Sequence, residues 1–143
     1  MRLPPDQSQT IKQTVARLAG LTQLLSGISE LEFAALVGSR AQGTAAAASD
    51  WDIALQWRPQ TDWLALIGTQ ETLRRRIADN LGTGPEGIDL IDLSRANLAM
   101  RASVAEDGIV LKGEDGLPWA RFLTRTWREL EDYYWESAHA TPC

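Results

Sequence analysis

Residues 31–57 read LEFAALVGSRAQGTAAAASDWDIALQW, and this stretch decides the fold. Leu31 to Val37 is a short apolar run that stops at Gly38, the pattern of a buried strand. From Asp50 to Trp57 the residues alternate. A strand turns successive side chains to opposite faces, so Asp50, Asp52, Ala54 and Gln56 share one face, while Trp51, Ile53, Leu55 and Trp57 share the other. Pro59 ends this second strand. Residues 40–49 contain Gly43 and four consecutive alanines, which reads as a short helix start followed by a loop.

Upstream, Ile11, Val15, Leu18, Leu21 and Leu25 recur at helical spacing and predict a helix over 7–26. Downstream, residues 62–81 predict a helix with Trp63, Leu66, Ile67, Leu73 and Ile77 inward. The segment GTGPEG is a turn, and Ile88 to Leu93 a third strand. A helix over about 95–106 is expected with Ser94 as its N-cap, then a short strand from Gly108 to Lys112. Trp119, Phe122, Leu123, Trp127, Leu130 and Tyr134 mark a last helix over about 117–137. Strands alternating with helices make an α/β or α+β domain. One domain is expected over 1–143, with an N-terminal helix within about 1–28, the last helix at 117–137 and a frayed tail at 138–143.

Hydrophobic residues make up 44% of the chain, enough to build a core, and no long uncharged apolar run suggests a membrane span. The N-terminus lacks the apolar region of a signal peptide. Cys143 is the one cysteine, so no internal disulfide is expected and a cytoplasmic location is. A net charge of −5 argues against nucleic acid as a direct ligand, since that binding depends on released counterions. Arg74-Arg75-Arg76 is the one candidate basic patch, and its plain reading is a solvated helix face.

Two carboxylates at D-x-D spacing on a strand point the same way, and like charges that close are unfavourable. A hard divalent cation removes the problem: Mg²⁺ takes one or two carboxylates plus substrate phosphates. Asp50 and Asp52 are therefore candidate metal ligands. Alone, a D-x-D pair is more often an exposed strand face, and Gly38-Ser39 more often a plain turn with an N-cap. Together they read differently. Gly38 closes a strand and Ser39 opens a helix, where free N–H groups accept an anion. An anion cradle beside a metal-binding pair is what a nucleoside triphosphate requires. A third carboxylate could come from GIDLID. Asp89 lies among apolar residues and could bind a metal or take a proton; Asp92, nearer the strand end, is the better helix cap.

The segment GSRAQGTAAAASDWD, with ten residues between Gly38-Ser39 and Asp50-Trp51-Asp52, resembles the polymerase-beta-like nucleotidyltransferase superfamily. It looks most like the minimal nucleotidyltransferases of prokaryotes, of the MntA antitoxin type. IDLIDL, then a helix, then DGIVLKGED fit the same layout, so the resemblance spans about residues 30–135. It implies a mixed β-sheet flanked by helices. It implies that Asp50, Asp52 and Asp89 bind Mg²⁺, two ions in all, with Gly38, Ser39 and Arg40 at the triphosphate of ATP. Many relatives carry a basic residue at the position of Gln42, so one phosphate contact is expected to be weaker here. The resemblance further implies a HEPN-domain toxin as partner and AMP transfer to one of its tyrosines, the chain acting as antitoxin. The alternatives are a binding module that neutralises its partner by occlusion, or nucleotidyl transfer to RNA or a small alcohol.

Some residues tempt without carrying chemistry. Trp51 and Trp57 are expected in the core. Trp127, Tyr133, Tyr134 and Trp135 cannot all face one core, and aromatics left outside are candidates for a partner surface. His139, the one histidine, is assigned no role.

Overall fold

The computed structural model describes residues 5–46, 48–59 and 62–140, with side chains from Lys12 onward. Cys143, the end of the expected tail and the side chain of Ile11 lie outside the described residues. The elements are α1 (Pro5–Ser26), β1 (Leu31–Val37), α2 (Ser39–Gln42), β2 (Trp51–Trp57), α3 (Trp63–Leu81), β3 (Ile88–Asp92), α4 (Leu98–Asp107), β4 (Ile109–Lys112) and α5 (Leu117–His139), with a 3₁₀ turn at Pro85–Gly87 before β3. The four strands form one mixed sheet in the order β3-β2-β1-β4. β1 runs antiparallel to β2 and β4, and β3 runs parallel to β2.

Both faces of the sheet are covered. Leu36, Trp51, Ile53, Leu55 and Trp57 pack with Leu21 and Leu25 of α1 and Leu66, Leu73 and Ile77 of α3. On the opposite face Phe33, Ala35, Val37, Ala54 and Leu93 pack with Val104 of α4 and Trp119 and Phe122 of α5. Trp51 and Trp57 are core residues as expected. The polar half of the alternating strand is thus not a solvated face: Ala54 is buried beneath α4 and α5, and Asp52 reaches solvent only because it sits at the strand end, beyond those helices.

Several sequence expectations shift. Ser94 does not cap α4. Its N–H and hydroxyl both donate to Asp92, at 3.0 and 2.7 Å, and Asn97 is the N-cap, accepting from the N–H of Met100 at 2.9 Å. The Asp92–Ser94 turn delays the helix start to Leu98. Trp63 and Ile67, expected inward, are exposed; Ala78 and Leu81 take their share of the contact. Trp63 instead carries the Arg95 guanidinium 3.5 Å from its ring centroid. Val15 is 61% exposed, on the rim of a cavity that it shares with Leu36, Arg40 and Trp51. The arginine run is not a patch: Arg74 donates to the Ile88 carbonyl at 2.7 Å, and Glu71 lies 3.3 Å from Arg74 and 3.7 Å from Arg75. Among the described residues no helix is long and apolar enough to cross a membrane.

Candidate active site

The candidate residues converge where β1 ends, β2 begins and β3 begins. Asp52 pairs in register with Val37 of β1 on one side and with Asp89 of β3 on the other. Register partners in a sheet project from the same face, so Asp52 and Asp89 stand side by side. Asp50, just before β2, is exposed, and its charge reaches Asp52. Asp92 projects from the opposite face to Asp89 and is occupied by Ser94.

Gly38 follows Val37 with φ 72° and ψ −156°, backbone that essentially only glycine adopts. The space above it belongs to Asp52: a Cβ on Gly38 would lie 2.4 Å from Asp52 Oδ2. The chain then winds into the single turn α2, whose Ala41 and Gln42 N–H groups both donate to the Gly38 carbonyl at 3.1 Å. This places the start of a helical turn, where N–H groups favour anions, next to the carboxylates.

Burial raises the pKa of Asp52 above its ordinary value, and the charges of Asp89 and then Asp50 push it further the same way. A cation among the three would reverse that cost. Among the described residues no three His, Cys, Asp or Glu form a ready-made metal cluster. The donors are all hard oxygens, two in register and one on the approaching loop, which fits a Mg²⁺ ion that draws its remaining ligands from phosphate and water.

Arg40 is placed elsewhere. Its guanidinium donates to the Ser49 carbonyl at 2.9 Å and lies 4.3 Å from the centroid of the Trp51 ring. Trp51 projects from the face opposite Asp52, so Arg40 braces the loop between α2 and β2 instead of joining the carboxylates. Sequence reasoning also passed over three exposed arginines on α5, Arg121, Arg125 and Arg128, whose spacing of four and three residues marks one helix face.

A mixed sheet that sets a glycine turn against neighbouring carboxylates defines the class: an α/β domain with hard oxygen donors beside the start of a helical turn. The family follows from comparison. The model of polymerase beta nucleotidyltransferases matches residues 20–116, and the chain belongs to that family. Among solved structures it is similar to a toxin–antitoxin complex with AMP-PNP, at 26% identity and a TM-score of 0.65, covering 85% of this chain and 93% of that one. A variant MntA toxin–antitoxin complex is 25% identical, with a TM-score of 0.58 and coverage of 96% and 94%. A structure of tri-AMPylated Shewanella oneidensis HEPN toxin with its MNT antitoxin, at 21% identity, shares the fold (TM-score 0.61; coverage 87% and 93%). No curated protein gives a significant sequence match.

Proposed function

We propose that this chain transfers AMP from ATP to a tyrosine hydroxyl of a HEPN-domain toxin and so acts as its antitoxin. The observation that carries the reading is the placement of Asp52 between the Gly38 turn and Asp89, which joins an anion cradle to a carboxylate pair at one end of the sheet. The likeness to antitoxins solved with their toxins, one of them with AMP-PNP, supports the acceptor.

Asp50, Asp52 and Asp89 would hold Mg²⁺, which neutralises the triphosphate and makes its α-phosphorus open to attack. The Gly38-Ser39 turn holds phosphate oxygens, the glycine allowing close approach and the Ser39 hydroxyl donating. The acceptor hydroxyl forms a new bond to the α-phosphorus, and its proton passes to Asp89. The bond between that phosphorus and the bridging oxygen of the β-phosphate breaks, and pyrophosphate leaves. Asp92 projects from the opposite face and pairs with Ser94, which supports Asp89 as the third carboxylate.

The test incubates the purified chain with its toxin and α-labelled ATP, with the toxin's mass as readout. Label on a toxin tyrosine is expected, falling about 100-fold or more with Asp52→Ala as transition-state charge goes unsupported. Undiminished label in a variant lacking both Asp50 and Asp52 would sink the mechanism. Full protection of cells by that inactive variant would favour occlusion.

A further inference from the structure

The charges of α5 are sorted by sequence. Its first half, 117–128, carries Arg121, Arg125 and Arg128 and no acid; its second half, 129–139, carries Glu129, Glu131, Asp132 and Glu136 and no Lys or Arg. This order opposes the helix macrodipole, which favours acids early and bases late, so the stability of an isolated helix does not account for it. Glu129 is held by Arg101 of α4 at 2.6 Å. The side chains of Arg121, Arg125, Arg128, Asp132 and Glu136 have no ion pair with another described residue.

These five residues recur at spacings of four, three, four and four, one stripe flanking the side of α5 that carries Trp119, Phe122 and Thr126. Arg121, Arg125 and Arg128 border an open groove whose far wall includes Gln56 and Pro59. Beyond Leu130 the helix buries nothing: every residue from 131 to 140 is exposed. About three unsupported helical turns are marginal in water, so this half gains from a surface to lie on. It also presents a fixed aromatic. The Trp135 ring, 62% exposed, stacks on His139 at 4.2 Å and 17°, and His139 is tied to the Trp135 carbonyl.

We propose that α5 is a self-association surface, on which two copies of this chain pair their last helices antiparallel about a two-fold axis between Arg128 and Glu129. In that register Arg125 faces Asp132 of the other copy and Arg121 faces Glu136, each pair occurring twice. The macrodipoles oppose, and the unsupported second half of each helix lies along the arginine-lined groove of its mate. Trp135 comes opposite the second turn of the other helix, where an arginine can cover its ring. This pairing stands independently of the reaction assigned above.

Sedimentation equilibrium of the purified full chain tests it. A monomer–dimer equilibrium that weakens from 50 to 500 mM NaCl is expected. Arg125→Asp and Asp132→Arg each weaken the dimer about tenfold or more, because each reversal replaces two attractions with two repulsions. The double variant, carrying both reversals, restores it. Circular dichroism confirms that each variant is folded, as surface exchanges should leave it. A chain that stays monomeric at all concentrations overturns the proposal. So does a dimer indifferent to the single reversals, or a double variant no better than either. If the chain is monomeric and Arg125→Asp abolishes toxin binding, the stripe belongs to the toxin and self-pairing is wrong.

Discussion

Gly38 is the residue on which the site turns. Its backbone occupies a region closed to side chains, and the carboxylate of Asp52 fills the space a side chain would need. Gly38→Ala should therefore destabilise the fold by about 1–3 kcal/mol in chemical denaturation. Because the new methyl displaces Asp52, activity should fall further than lost stability explains. Asp52 supplies a pH prediction. Its pKa is raised in the folded state, so the fold holds that proton more tightly than the unfolded chain does. Its favourable contribution is full below the ordinary value of 3.8 and is lost as pH rises through the raised value. Ionised Asp52 then opposes folding at neutral pH. In metal-free buffer Asp52→Asn should raise Tm at pH 7 and change it little near pH 3, with nucleotidyl transfer lost throughout. Unchanged Tm at pH 7 would mean the crowding of Asp52 is relieved by other means. The shared face of Asp52 and Asp89 was legible in the sequence because a strand leaves a short carboxylate no choice of face, whereas Asp50 lies on the loop just before β2, outside that rule. Arg40 was not: its long side chain could reach either way, and the Trp51 ring and Ser49 carbonyl decide the matter.

The elements were legible where periodicity was strong and blurred where capping decided. β1 and β2 match their apolar run and alternation almost to the residue. The start of α4 did not, because Asp92, Ser94 and Asn97 are all competent caps, and only the turn closed by Asp92 hands the role to Asn97. A helical stripe marked Trp63 as inward, yet a stripe does not say how far the contact beneath it extends. The packing of α5 rests on an aromatic cluster. Phe33 lies 5.1 Å from Trp119 and 5.3 Å from Phe122, ring centre to ring centre. Phe122→Ala should cost about 3–5 kcal/mol in denaturant unfolding and loosen α5 as a unit. Beside this cluster Thr126 is fully buried, and its hydroxyl has no partner among the described residues. Thr126→Val keeps the shape and removes the stranded group, so it should stabilise by about 1 kcal/mol. A loss of stability would mean that a buried water serves the hydroxyl.

At the scale of the whole molecule, the proposed ligand should be coupled to folding through charge. The chain concentrates like charge around Asp52, and Mg²⁺ with ATP should offset that cost by binding only the folded form. At a free ligand concentration about 100 times Kd, the gain is about 2.7 kcal/mol. Thermal denaturation should show it for the natural chain, and show little of it once Asp50 and Asp89 are both replaced by Asn. An equal gain in the variant would place the nucleotide elsewhere. The mixed sheet was expected only through family resemblance. Strand order and the antiparallel pairing of β4 on β1 depend on contacts between distant segments, which periodicity does not encode.

The parallel placement of β3 beside β2 has a consequence for how the protein is born. Gly38 and the Asp50–Asp52 pair are neighbours along the chain, on an antiparallel pair of strands that can form as soon as Trp57 has emerged from the ribosome. Asp89 arrives only after α3 has crossed over and β3 has been synthesised. Local pairings form early and distant ones late. A nascent or prematurely ended chain can thus possess the glycine turn, Asp50 and Asp52 while lacking Asp89, so under the mechanism proposed above catalytic competence would be acquired late in synthesis, after the glycine turn and the first two carboxylates are in place.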